Sequence, residues 1–214
     1  MFMIFSKFIS KKLLSEQLKQ PSGWIGKYII SKLLDTSSYQ LNSFTLELLD
    51  IDKKDEILEI GFGTGLLIKR MAKKMEDGTI EGVDFSKTMY NRAFEVNKEQ
   101  IQKKRVTLHH LECKKLPFEN NNFTKVCSIN TLYFWENPEE YFQEILRVIK
   151  ENGHFVLGFR DKKQMELLDA DKEIFQTYEK EEIIEMLSRS GFKNIKLNKR
   201  DDTPLTSYCI VAIK

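Results

Sequence analysis

From Asp55 onward, short apolar runs alternate with longer amphipathic stretches, and this alternation restricts the possible folds more than any other feature of the chain. The runs are Glu56–Ile60, Thr79–Val83, Val106–His110, Lys125–Ile129 and His154–Phe159. Between them lie Thr64–Met75, Ser86–Lys103 and Pro138–Lys150, each with helical periodicity. Repeated strand–helix–strand units return each strand parallel to the last and lay helices on both faces of the sheet. The end of the chain breaks the rhythm. After a helix over Lys180–Ser190 and Gly191, strands over Asn194–Lys199 and Ser207–Ile213 are separated only by a turn at Thr203-Pro204, which predicts an antiparallel edge hairpin. Gly153, following Asn152, is expected to take the left-handed conformation that closes the preceding helix.

The first fifty residues are helical in character. Phe5, Phe8, Ile9 and Leu13 recur at helical spacing between Phe2 and about Leu18, with lysines among them. A break at Pro21-Ser22-Gly23 precedes helical stretches over Gly26–Leu34 and Leu41–Asp50. Within residues 1–30, Lys7, Lys11, Lys12, Lys19 and Lys27 stand against Glu16 alone, a balance of 5 − 1 = +4 in a chain whose net charge is +2. A nucleic-acid binder would spread such charge over a face of the whole domain, so no nucleic-acid partner is expected. The favoured reading of the basic helix is packing over a site; contact with a membrane surface, suited to a lipophilic acceptor, ranks second.

At 214 residues one domain is expected, with residues 1–50 a helical lid on a domain formed by residues 51–214. A hydrophobic content of 41% and a charged content of 31% are ordinary for a globular protein. No stretch approaches the ~18 apolar residues of a membrane span. Lysines interrupt the apolar start and no small-residue cleavage site follows, so a cytoplasmic location is expected. Cys113, Cys127 and Cys209 are scattered, against both a disulfide framework and a zinc site with paired ligands.

Chemistry concentrates at Ile57-Leu58-Glu59-Ile60-Gly61-Phe62-Gly63-Thr64-Gly65, a buried strand entering a glycine-rich turn before a helix. Such a turn lets a ligand approach the backbone and meet free N–H groups. A dinucleotide fingerprint would need glycine where this chain has Leu66, which disfavours an NAD-dependent oxidoreductase. Asp84 follows Gly65 by 84 − 65 = 19 residues, at the end of the second strand, where a carboxylate can accept from both hydroxyls of a ribose. Capping of the helix from Ser86 is the other reading of Asp84.

Four segments, LEIGFGTG at 58–65, GVDFSKTMYNRA at 82–93, LECKKLPFENNNFTKV at 111–126 and NTLYFWENPEEYFQEILRVIKENGHFVLGF at 130–159, together resemble the class I S-adenosylmethionine-dependent methyltransferases, in particular the small-molecule and quinone methyltransferases. The resemblance implies a Rossmann-like α/β fold, a seven-stranded, mostly parallel sheet of order 3-2-1-4-5-7-6 with an antiparallel last strand. The implied function is displacement at a sulfonium methyl by a small-molecule acceptor, with S-adenosylmethionine as cofactor and no metal. Residue by residue, it implies that Glu59, Gly61, Gly63 and Gly65 shape the pocket around the methionine part. Asp84 would hold the ribose, Phe85 and Met89 flank the adenine, Glu112 reach its exocyclic amine in place of the usual Asp, and the Cys113 N–H meet a ring nitrogen. Asn130 would line the amino-acid portion.

Alignment of acceptor, methyl and sulfur can supply much of the rate of such a transfer, so no general base need be visible. Ring faces attract cations; Tyr133 and Trp135, on the loop after the fourth strand, are candidates for the acceptor pocket, with core packing the equal alternative. Trp24, Tyr28, Tyr39 and Asn42 are further candidates from the N-terminal helices. His109, His110 and His154 read as strand residues rather than as bases. The loop Asn130-Thr131-Leu132-Tyr133-Phe134-Trp135 lacks the Asn/Asp-Pro-Pro-Tyr pattern of enzymes that methylate base amines. A non-catalytic module that binds S-adenosylmethionine or a nucleotide is the alternative function.

Overall fold

A computed structural model describes residues 10–214. Its strands are β1 (Glu56–Ile60), β2 (Thr79–Asp84), β3 (Val106–His110), β4 (Phe123–Ile129), β5 (Ile149–Phe159), β6 (Lys193–Arg200) and β7 (Ser207–Ile213). They form one sheet in the order β3-β2-β1-β4-β5-β7-β6. β1 to β5 pair in parallel, and β7 runs antiparallel to both neighbours, as the terminal hairpin predicts. The helices are α1 (Lys11–Lys19), a π-helical turn (Ile25–Ile30), α2 (Ser31–Ser37), α3 (Tyr39–Leu48), α4 (Leu66–Ala72), α5 (Lys87–Gln102), α6 (Pro138–Val148), α7 (Lys162–Leu167) and α8 (Lys180–Arg189). Phe5, Phe8 and Ile9 of the expected N-terminal helix lie outside the described residues.

Strand alternation divides the core into two layers. Leu58, Ile60, Val126, Phe155, Leu157 and Ile210 pack with Phe142, Ile145 and Val148 of α6 and Ile183 and Leu187 of α8. Ile57, Ile129, Val156 and Cys209 pack with Leu41 and Phe44 of α3, Leu67, Ile68 and Met71 of α4, and Ala93 of α5. Local chemistry fixes the helix starts. Ser86 caps α5 by accepting from the Met89 N–H (3.3 Å), and Pro138 opens α6 with Glu139 and Glu140 in its first turn. Among the described residues, no helix is long and apolar enough to cross a membrane.

The structure departs from expectation between α6 and β5. The strand begins at Ile149, five residues before His154, and its pairing with β4 is irregular between Phe123 and Lys125. Asn152, not Gly153, takes the left-handed conformation (φ 61°). Gly153 serves close approach instead: a Cβ there would lie 2.6 Å from Ile149 Cγ2 and 2.9 Å from the Thr124 carbonyl. Helix α7 and the 3₁₀ turn Leu132–Phe134 carry too few residues for a periodicity to show.

Candidate active site

Three left-handed glycines bend the chain between β1 and α4, and each does so for a different neighbour. Gly61 (φ 73°) donates its N–H to the Val83 carbonyl (2.8 Å), and a Cβ there would come within 2.2 Å of Thr131 Cγ2. Gly63 (φ 51°) donates to Asp84 Oδ2 (2.8 Å) and has open space where a Cβ would stand. Gly65 (φ 76°) packs on α5, where a Cβ would meet Ala93 Cβ and Asn97 Nδ2, each at 2.7 Å. Asn97 completes the fit by donating to the Gly65 carbonyl (3.0 Å).

Asp84 stands where the sequence places it, at the end of β2. Its Oδ1 accepts from the Ser86 N–H (2.8 Å) while Oδ2 accepts from Gly63. The cap of α5 is therefore Ser86, and the capping role considered for Asp84 does not apply. Burial pushes the Asp84 carboxyl up to about 6 against the pull of those N–H groups. Glu59, only 3% exposed, is pushed to about 8, first by burial and then by the charge of Asp84. Its Oε2 is buried without a hydrogen-bond partner. An orphaned buried carboxylate beneath a backbone that approaches a cavity suits a ligand carrying positive charge and N–H donors.

A cavity of about 300 Å³ opens at the carboxyl ends of β1, β2 and β4, where open α/β sheets bind ligands. Glu59, Gly61, Gly63, Asp84, Phe85, Met89, Glu112, Cys113 and Asn130 all line it; Gly65 does not. Burial raises the Cys113 thiol to about 12, so it stays uncharged beside the cavity. Trp135 lines the cavity and stacks on Tyr141, with ring centroids 4.9 Å apart.

Tyr133 does not reach the cavity. Its ring is in the core beside Phe175, and its hydroxyl accepts from the Arg160 N–H (2.5 Å) and lies 3.3 Å from Asn130 Oδ1, so it braces Asn130 from behind. Trp24 and Tyr28 point outward, 67% and 62% exposed, and neither lines the cavity. Tyr39 is also exposed, whereas Asn42 is part of the wall. His109 pairs with Glu81 (2.7 Å) and His110 bonds the Phe85 carbonyl (3.0 Å), both away from the cavity.

The roof is seated by contacts the sequence does not single out. Ser86 Oγ donates to the Pro21 carbonyl (2.7 Å), Thr64 Oγ1 to Asp35 Oδ1 (2.5 Å), Asn130 Nδ2 to Ser38 Oγ (3.2 Å) and Arg160 Nη2 to the Ser37 carbonyl (3.1 Å). Leu18, Pro21, Leu34, Asp35 and Ser38 thereby close over the cavity. The partners are 29 to 123 residues apart in sequence, so no local pattern announces them.

Residues 58–157 match the family model of the methyltransferase domain. The chain thus carries a methyltransferase domain on the sheet order and cradle of the class I S-adenosylmethionine-dependent methyltransferases, and S-adenosylmethionine is its cofactor. It is 25% identical over 186 residues to the uncharacterized methyltransferase YdaC of Bacillus subtilis, covering 87% of this chain and 98% of that one. It is 26% identical over 148 residues to the chloroplastic 2-methyl-6-phytyl-1,4-hydroquinone methyltransferase 2 of Oryza sativa subsp. japonica, covering 69% of this chain and 41% of that one. In fold it is similar to a SAM-dependent methyltransferase from Aquifex aeolicus, with a TM-score of 0.67, 20% identity, and coverage of 86% of this chain and 96% of that one. None of these relatives lends support to a non-catalytic module.

Proposed function

We propose that the chain methylates a small molecule held between the Trp135 side of the cavity and the roof contributed by residues up to 50, which act as lid and acceptor region on the domain of residues 51–214. The observation that carries this reading is the roof. Four hydrogen bonds draw Pro21, Asp35, Ser37 and Ser38 onto the strand ends and leave a cavity of about 300 Å³ beneath them, within the range of small-molecule sites. The rice relative's name likewise gives it a small-molecule substrate, a hydroquinone bearing a phytyl chain.

S-adenosylmethionine, when bound, supplies a sulfonium methyl that a nucleophile can displace. The chain's own residues bind and orient. Asp84 offers its remaining lone pairs to the ribose hydroxyls, and its two N–H partners hold the carboxylate still. Phe85 and Met89 flank the adenine, Glu112 and the Cys113 N–H meet its edge, and Gly61 and Gly63 give the methionine part room against the backbone. Glu59 takes the positive end of the ligand in exchange for its lost hydration, and Asn130, fixed by Tyr133 and Ser38, lines the amino-acid portion. The roof covers part of the cavity, and alignment of acceptor with methyl supplies the rate.

Isothermal titration with S-adenosylmethionine, S-adenosylhomocysteine and NAD tests the site. The first two are expected to bind, and Asp84→Ala is expected to weaken both by roughly 100-fold, the loss of two hydrogen bonds to a charged group. Undiminished binding by the variant would remove Asp84 from the site. For the acceptor, methyl-labelled cofactor is incubated with a cell extract and the extract is ultrafiltered. Label in a filtrate compound that separates from the cofactor on chromatography supports a small acceptor; label found only with retained protein or RNA refutes it.

A further inference from the structure

The segment that roofs the cavity has a second face, turned outward. Trp24, Tyr28 and Lys32 fall four residues apart on the exposed side of the π-helical turn and α2, with Lys27 beside them. The inner side holds Gly26, Ile30, Ser31 and Leu33, all buried, and Ile30 and Leu33 pack on Leu14 of α1. Gly26 pins the segment close: a Cβ there would lie 2.7 Å from the Pro21 carbonyl carbon. The two large aromatics are thus held in water on a firmly seated element. The Lys27 ammonium sits 5.2 Å from the Tyr28 ring centroid, an arrangement in which the aromatic body and the cation present themselves together.

We propose that this face docks on an anionic lipid bilayer. Charge selects the occupant. Between Glu16 and Asp35 the chain carries Lys19, Lys27 and Lys32 and no acidic residue, a local +3 in a chain of net +2, which leaves −1 for all the rest. Exposed Trp and Tyr interleaved with lysine match the headgroup layer, where aromatic rings settle at the boundary and cations meet anionic lipid. The core of a protein–protein interface is by contrast poor in lysine. Pro21 and Leu34, flanking the face in sequence, line the cavity, so docking would set the roof against the lipid. The inference concerns the surface alone and holds whatever the acceptor is.

The test uses the full chain with phosphatidylglycerol vesicles and phosphatidylcholine vesicles at low salt. The protein is expected to sediment with the first and not the second, and to be released at high salt. Trp24 reports the contact directly, because the second tryptophan, Trp135, is 3% exposed: a blue shift of emission on vesicle addition should be present in the wild type and absent in Trp24→Phe. Trp24→Ser with Tyr28→Ser should weaken vesicle binding about tenfold, and Lys27→Gln and Lys32→Gln about fivefold each, with cofactor binding retained as the check on folding. Failure to sediment with phosphatidylglycerol, equal binding to both lipids, or vesicle binding untouched by these variants would overturn the proposal. Self-association or capture of a protein through this face without vesicle binding would overturn it equally, and would reassign the face to a protein partner.

Discussion

Glu59 and Asp84 share the buried floor of the cavity, and both carboxyls lie above their ordinary range for the same first reason, burial. With Glu59 at about 8, the free protein holds its proton at pH 7, whereas a positively charged ligand favours the anion. Binding of S-adenosylmethionine at pH 7 is therefore expected to release close to one proton. Titrations in phosphate and in Tris should give enthalpies that differ by nearly the difference in buffer ionisation heat, and Glu59→Gln should erase that difference; identical enthalpies in the wild type would sink the idea. Asp84 and the cradle glycines were legible because a carboxylate and three glycines at fixed distances from strand ends leave few other uses. The outward aromatics were not. Helical periodicity states only that one side is buried, and the π-helical turn at Ile25–Ile30 shifts the phase of Trp24 and Tyr28 relative to an ordinary helix.

The glycine-rich turn is one element with three separable demands. Gly63→Ala faces open space and should cost only the left-handed strain, about 1 kcal/mol in urea unfolding. Gly65→Ala must displace α5 and should cost about 3 kcal/mol. Gly61→Ala meets the Thr131 methyl, so Thr131→Ser should return part of its loss, a coupling of about 1 kcal/mol in a double-mutant cycle. Equal penalties at all three positions would contradict this assignment. β1, β2 and β4 were legible as short apolar runs set off by polar residues, and β6 by Ile195 and Leu197 alternating with polar neighbours. The passage from α6 into β5 was not: Lys150 and Glu151 continue a helical pattern, yet Lys150 pairs with Glu56 of β1 and is drawn into the sheet.

At the scale of the molecule, the pH range of stability is bounded by two buried acids with opposite shifts. At Glu59 the raised folded value means that its contribution is complete below about 4.5 and is lost as pH rises through about 8. Asp55 is the reverse. Burial opposes its charge, but Lys125 (2.8 Å), Thr124 and the Asp52 N–H hold its carboxyl below 3.8, so its stabilisation is present above that value and is lost as pH falls further. Thermal stability should therefore be greatest near pH 4, between the two ordinary carboxylate values, and decline from about pH 4.5 to about 8. Glu59→Gln should reduce the decline, leaving the part below about pH 6 that belongs to Asp84. Asp55→Ala should cost about 3 kcal/mol, since it strands the buried Lys125.

The sheet order was legible because chain direction follows from which strands have a helix between them. A lid from residues 1–50 was expected, but the bonds that seat it were not legible, since they join residues made early to residues made later. Pro21, Asp35, Ser37 and Ser38 emerge from the ribosome before Thr64, Ser86, Asn130 and Arg160 exist to bond them. The floor can thus complete its apolar core while the cover is still free, and in the finished protein opening of the cover is expected to cost a few polar bonds and the packing of Leu18 rather than the disruption of that core. Backbone amides of residues 11–37 should exchange with deuterium far faster than those of β1 and β4, and cofactor should slow the first group without touching the second.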